Sequence, residues 1–190
     1  MTWVRIIWLV FCLLWIAAEI SLARRTCLNS QSESENEERS QWLLWITVVV
    51  SLMIAVIFKN FAWIPIPIQY LPRQLVALLL FVAGLYVRYS AVGRLGRFFT
   101  THLSIQVTHE LIIDGPYRWV RHPAYTGLLI ALVAAGLAMG DLLALLLLTV
   151  PSFFAFKFRI DIEEKMLNKK FGTSYQNYRK TTAMLIPWLF

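Results

Sequence analysis

Two stretches of this chain hold the side chains best able to do chemistry. The first runs His109-Glu110-Leu111-Ile112-Ile113-Asp114-Gly115-Pro116-Tyr117-Arg118-Trp119-Val120-Arg121-His122-Pro123-Ala124-Tyr125. Gly115-Pro116 is a turn signal, and His122 is pushed to extended backbone because it precedes a proline. Proline is tolerated in the first turn of a helix, so Pro123 can open one. Exposed backbone N–H groups, two arginines, a histidine and two tyrosines then meet where a loop enters a helix, which suits an anion or a polar ligand. The same composition also fits an interfacial anchor, since Arg, Trp and Tyr gather at lipid headgroups.

The second stretch is Arg159-Ile160-Asp161-Ile162-Glu163-Glu164-Lys165-Met166-Leu167. Arg159 and Glu163 are four apart and share one helix face, while Glu164 lies about 100° further round. As a site wall, Glu163 would accept hydrogen bonds from a hydroxyl or ammonium, and Arg159 would hold an anion. As a surface ion pair, the two would contribute little. Arg88 is a third candidate. It stands at the end of an apolar run, where arginine is costly unless it snorkels or has a partner.

The elements that must position these residues are membrane helices. Of 190 residues, 58% are hydrophobic and 15% charged, against roughly 25% charged in soluble chains. A spanning helix needs ~20 mostly apolar residues. Such runs occur at Trp3 to Ala23, Trp42 to Phe58 and Leu75 to Val92. Ala124 to Phe158 is too long for one helix, and Gly140-Asp141 near its middle predicts a tight hairpin of two short helices. Residues 24–41 form a polar linker, Ile64-Pro65-Ile66-Pro67 with Pro72 an extended interfacial turn, and Gly93 to Pro123 an ordered loop region. From Arg159 an amphipathic helix is expected, followed by an aromatic, proline-containing tail.

The fold class is therefore all-α: a polytopic membrane protein of about five transmembrane helices. Residues 1–92 supply three of them. Residues 93–190 supply a cytoplasmic ligand-binding loop, the C-terminal two-helix hairpin and a C-terminal helix. With loop and C-terminus on one side, that side holds all 18 Lys and Arg except Arg5, Lys59 and Arg73. The positive-inside rule makes it cytoplasmic and leaves the N-terminus outside. Ser21-Leu22-Ala23 resembles a signal-cleavage site, but cleavage would invert this assignment, so the first helix is read as retained. The net charge of +7 flanks apolar helices, which favours anionic lipid headgroups over nucleic acid as partner. The placement of Cys12 and Cys27 suggests neither a disulfide framework nor a metal site.

Taken together, these residues resemble the isoprenylcysteine carboxyl methyltransferase family, membrane-embedded enzymes related to phospholipid N-methyltransferases. The resemblance runs from about Gly93 to Pro187. It rests on His109 through Ile112, on Gly115-x-Tyr117 with Arg121-His122-Pro123-x-Tyr125, and on Glu163-Glu164-x-x-Leu167 with Phe171-Gly172, Tyr175 and Tyr178 behind it. Ile112 stands where the family has valine. The resemblance implies that the loop and the double-glutamate helix enclose S-adenosylmethionine. His109, Glu110, Leu111, Ile112, Tyr117, His122, Pro123, Ala124, Tyr125 and Glu163 would line it, and Arg159 and Arg88 would face the methyl acceptor. The implied acceptor is an amphiphile, a carboxyl group such as that of a prenylated cysteine coming first and a lipid amine or thiol second. A carboxylate is already ionised at neutral pH and needs positioning by arginine. An amine or thiol needs a base, for which His122 or a tyrosine is the candidate. Some membrane sterol reductases resemble this family in their C-terminal half, but no clear basic pocket for a 2′-phosphate is visible. Paired, interrupted helices in two repeated halves, which would suggest a transporter, are also lacking.

Overall fold

The computed structural model describes residues 2–27, 35–96 and 111–187. Its helices are α1 (Thr2–Cys27), α2 (Glu35–Phe58), α3 (Tyr70–Leu95), α4 (Pro123–Met139), α5 (Leu142–Phe171) and α6 (Thr173–Thr181). A 3-10 turn, Gly115–Arg118, interrupts the approach to α4. Helices α1, α2, α3 and α5 are long and apolar enough to cross a membrane. Helix α4, with 17 residues, reaches about 26 Å at 1.5 Å per residue, just short of the hydrocarbon thickness. The outward faces of α1 and α2 expose leucine and isoleucine along their length, among them Leu9, Leu13, Leu14, Leu43 and Ile46, as lipid contact requires.

Two expectations from the sequence change. The hairpin turns at Gly140-Asp141 as expected, but its second arm is not short. Helix α5 runs 30 residues without a break, so Arg159 lies inside it and does not open a separate amphipathic helix. The fall in hydropathy after Phe158 marks where α5 leaves the apolar layer, not where it ends. Gly172, at φ 52°, ends it, its N–H bonding Asn168 O at 2.9 Å. The polar linker at 24–41 is likewise helical at both described ends, α1 continuing to Cys27 and α2 starting at Glu35. Glu, Arg and Gln are good helix formers, and polarity alone does not stop a helix.

Close packing of α3 on α4 sets the frame. A Cβ added at Gly84 would lie 2.7 Å from Gly127 O and 2.9 Å from Ala131 N, so the two backbones touch because neither position carries a side chain. Ala77, Ala91, Ala131 and Ala134 are buried along the same seam. Leu44 and Val48 of α2 pack with Leu128 and Leu132 of α4 and Leu148 and Phe156 of α5 in one core. Helix α1 rests on α3 through Trp8 and Trp15, both edge-on to Phe81 at 5.4 and 5.8 Å.

Asp141 ties the hairpin turn to the proline-rich turn at the opposite end from the site. Its Oδ1 caps α5 by accepting from Ala144 N at 2.9 Å, and its Oδ2 accepts from Ile64 N at 2.8 Å. Ile66 N bonds Gly140 O at 3.0 Å and Leu142 N bonds Ile64 O at 2.8 Å. At the same end Trp8 Nε1 donates to Gln74 Oε1 at 2.7 Å, and Gln74 Nε2 donates to Ala138 O at 2.8 Å. These bonds satisfy polar groups that hydrocarbon would leave stranded.

Candidate active site at the entry of α4

The loop reaches α4 through a series of local constraints. Asp114 and Arg94 form an exposed two-pronged ion pair, one arm of which spans 2.9 Å. The Arg94 hydrogen bond holds the Asp114 carboxyl below the usual carboxylate range. Gly115, at φ 60°, makes the turn in a conformation that side chains resist. Tyr117 is buried with Ala91 and Ala124, and Ile112 packs against them. Its hydroxyl donates to Ala91 O at 3.4 Å, and its own carbonyl accepts from Tyr178 Oη at 2.5 Å. Burial pushes the phenols of Tyr117 and Tyr178 up, the charge of Glu163 adding to the effect at Tyr117.

The chain following α6 then fixes the last residues before the helix. Val120 and Ala183 form a parallel bridge. Arg121 N bonds Ala183 O at 2.8 Å, and His122 N bonds Met184 O at 3.1 Å. Thr126 Oγ1 donates to Leu185 O at 2.7 Å. His122 takes the N-cap position of α4 in a non-helical conformation, with Pro123 next.

Helix α5 brings its polar third against this segment. His122 is buried, its Nε2 3.3 Å from Glu164 Oε1 and its Nδ1 3.9 Å from Glu163 Oε2. Glu164 accepts from Arg121 Nε at 2.8 Å and lies 3.5 Å from Arg179 Nε. Arg121 Nη1 also donates to the carbonyls of Thr182 and Arg179. One turn back on α5, buried Arg159 donates from Nε to Tyr125 Oη at 3.1 Å and from Nη1 to Ser40 Oγ at 2.8 Å. The Tyr125 ring sits between His122 at 6.1 Å and Phe156 at 5.8 Å. Arg88 donates from Nε and Nη2 to Glu19 at 2.6 and 2.5 Å, and from Nη1 to Ala124 O at 3.5 Å.

Tyr117, His122, Pro123, Ala124, Tyr125, Glu163, Arg159 and Arg88 thus gather at one end of the bundle, with Ile112 beside them and Leu111 half-buried at the loop's edge. His109 and Glu110 lie outside the described residues. Of the two adjacent glutamates Glu164, about 100° round the helix from Glu163, is the more buried: both ends of its ion pair with Arg121 are 8% exposed, while the Glu163 side chain is 28% exposed. Sequence reasoning also passed over Glu19, Ser40 and the backbone of Ala183 to Leu185. Glu19 gave a signal, an acid inside an apolar run, but not the identity of its partner. Ser40 gave none.

Residues 76–169 match the model of the isoprenylcysteine carboxyl methyltransferase (ICMT) family. The protein-S-isoprenylcysteine O-methyltransferase of Schizosaccharomyces pombe is 35% identical over 106 residues, which is 55% of this chain and 45% of that protein. Protein-S-isoprenylcysteine O-methyltransferase A of Arabidopsis thaliana is 32% identical over 114 residues, 59% of this chain and 58% of that one. Methanethiol S-methyltransferase 1 of Bradyrhizobium diazoefficiens is 38% identical over 73 residues, 38% of this chain and 24% of that one. The chain spans about half the length of the isoprenylcysteine relatives it matches. The solved structure of the eukaryotic intramembrane Ras methyltransferase ICMT superposes with a TM-score of 0.58 at 24% identity, covering 84% of this chain and 55% of that one. At that identity the likeness concerns the fold, a polytopic membrane bundle. The matched residues include Arg88, the whole of α4 with its entry, Arg159 and Glu163. They leave out α1, α2, α6 and the segment after it.

Proposed function

The chain belongs to the isoprenylcysteine carboxyl methyltransferase family through residues 76–169, and from that premise we propose that it is an integral membrane methyltransferase using S-adenosylmethionine. The proposed acceptor is an amphiphile presenting a carboxyl group, as on a prenylated cysteine. The observation that carries the reading is the meeting of His122, Tyr125, Glu163 and Arg159 where α4 begins, within the family-matched span.

The polar groups at this end fit such a donor, which brings an ammonium, a carboxylate and a ribose diol. Glu163 has no guanidinium or ammonium within ion-pair distance among the described residues, so its carboxylate can accept from a hydroxyl or ammonium. The buried Tyr175 hydroxyl makes no well-formed hydrogen bond among the described residues, with Glu164 its nearest interacting carboxylate and Glu163 further off. Buried polar atoms left unpaired are costly, and a polar ligand would relieve them. His109, Glu110, Leu111, Ile112, Tyr117, Pro123 and Ala124 complete the proposed donor lining. When bound, S-adenosylmethionine supplies an electrophilic methyl group. The residues of this chain then have to align the acceptor for in-line displacement, which can supply much of the acceleration. Arg159 can hold a carboxylate by its guanidinium fork, in a plane fixed by Tyr125 and Ser40. Arg88 is proposed to face the same acceptor. The loop and C-terminus are proposed to face the cytoplasm, where the basic residues concentrate.

A thiol or lipid-amine acceptor is the second reading, favoured by the likeness to a methanethiol S-methyltransferase. It requires a base. Burial pushes Tyr117 and Tyr178 up and away from that role, which leaves His122. Two measurements test the proposal. Titration of detergent-solubilised protein is expected to show binding of S-adenosylhomocysteine and none of NADPH; the reverse would overturn the methyltransferase reading. Labelled-methyl transfer to membrane extract is expected to give alkali-labile label, the mark of a methyl ester. Alkali-stable label in a thioether or amine fraction would move the assignment to the second reading.

A further inference from the structure

A buried ion pair joins α1, which lies outside the family-matched span, to α3. Arg88 presents its Nε–Nη2 edge to Glu19, with side-chain exposures of 7% and 13%. Two further donors fill the carboxylate: Tyr89 Oη at 3.1 Å and Trp15 Nε1 at 3.1 Å, both on Oε1. Four donors thus meet a carboxylate that offers about four acceptor sites, three of them on Oε1 and one on Oε2, and Glu19 in turn fixes the plane of the guanidinium. The edge left over carries Nη1, which points to Ala124 O at 3.5 Å, two residues beyond His122.

Anchoring α1 is the simpler explanation of such a pair, and one observation and one general argument weigh against it. The helix is already tied to α3 by Trp8 on Gln74 and by both tryptophans on Phe81. A buried ion pair is also a poor anchor, because desolvation of the two charges offsets most of their attraction and an apolar pair of similar volume often stabilises more. What the pair does better than apolar side chains is fix the direction of a planar donor group.

We infer that Glu19 is a positioning residue of the methyl-transfer site, holding Arg88 so that its remaining donors face the entry of α4 and the acceptor. This rests on the methyltransferase reading above. It assigns to a helix outside the family-matched region a part in setting where the acceptor's polar end lies. Glu19 itself does not touch the reacting atoms; it acts through Arg88.

The test compares wild type with Glu19→Gln and Glu19→Asp in the same detergent. Turnover is read with an S-prenylated N-acetylcysteine and labelled S-adenosylmethionine, and donor-site affinity with S-adenosylhomocysteine. Glu19→Gln keeps the shape but loses the charge that orients Arg88. The catalytic efficiency toward the acceptor is expected to fall about ten- to a hundredfold, the range for loss of a charged hydrogen bond, while S-adenosylhomocysteine affinity stays within about twofold. Glu19→Asp keeps the charge, draws Arg88 out of place by one methylene and covers the case in which the glutamine variant fails to fold. It should show the same split between acceptor and donor. Variants that melt earlier but turn over at wild-type efficiency would reduce Glu19 to an anchor and overturn the inference alone. Wild-type protein that neither binds S-adenosylhomocysteine nor transfers methyl would overturn the methyltransferase reading and this inference together.

Discussion

Replacing Arg159 by lysine is expected to separate acceptor binding from donor binding if the proposed roles of Arg159 and Glu163 hold. The guanidinium is buried, and the bonds that orient it include Nε to Tyr125 Oη at 3.1 Å and Nη1 to Ser40 Oγ at 2.8 Å. Lysine carries the same charge on a single nitrogen. It can reach one of these oxygens, but it cannot span both and still present a flat pair of donors to a carboxylate. The loss is therefore at least one charge-assisted hydrogen bond to the acceptor, roughly 1.5–3 kcal/mol. If that bond is fully formed in the transition state, turnover falls about ten- to a hundredfold. The proposed donor site is on the Glu163 side, one helical turn away, so S-adenosylhomocysteine is expected to bind the variant nearly as well as wild type. The assay is turnover with a prenylated carboxyl acceptor beside calorimetric titration with S-adenosylhomocysteine, in one detergent and with folding checked by elution profile. Tyr125→Phe serves as companion: it removes one orienting oxygen and should lower turnover less than the lysine variant does. Wild-type turnover in Arg159→Lys would remove the arginine from the acceptor site and with it the argument for a carboxylate. Faster turnover with an amine acceptor would point to the second reading.

Glu163→Ala should weaken S-adenosylhomocysteine binding about ten- to a hundredfold by calorimetry with little change in melting temperature, since its side chain is 28% exposed; unaltered affinity in a folded variant contradicts the donor-site role. Glu164→Gln should act on stability first. It leaves Arg121, 8% exposed in the pair, without its counter-charge, and removing one partner of a buried pair costs about 3–5 kcal/mol. The expected result is a lower melting temperature with faster proteolysis of the segment after α6, and a protease pattern like wild type would contradict it. Gly127→Leu would drive a side chain into α3, a Cβ there already lying 2.6 Å from Arg88 N; loss of the folded monodisperse species is expected, while Gly93→Leu, with open space around its Cβ position, should be tolerated on size-exclusion chromatography.

What the sequence could and could not reveal follows from what each signal measures. Hydropathy located the spanning helices and the Gly140-Asp141 turn, because lipid exposure and chain reversal leave marks in the local residue types. It misplaced the end of α5, because the same helix continues through Arg159 into water and only the solvent changes. Arg88 at the end of an apolar run had either to snorkel or to find a partner, and Glu19 is an acid near the end of another such run, but sixty-nine positions separate them and nothing local connects the two. The double glutamate was visible, yet the roles of Glu163 and Glu164 depend on how α5 is rotated against the His122 segment. That rotation is fixed by Arg121, Arg179 and the returning backbone of Ala183 and Met184. Backbone carbonyls carry no residue-type signature, so this part of the candidate site could not be read in advance.

The bridge between Val120 and Ala183 has a consequence for the order in which the protein is made. Residues 121 and 122 take their backbone partners from Ala183 and Met184, some sixty residues later in synthesis. The hairpin of α4 and α5 can enter the bilayer as soon as it is translated, but the backbone N–H groups at its mouth gain their partners only when the later segment has emerged and threaded back alongside. Insertion and maturation of the site are therefore separate events. A released chain truncated before Ala183 is expected to keep the α4–α5 hairpin in the membrane but to lack the backbone partners of Arg121 and His122.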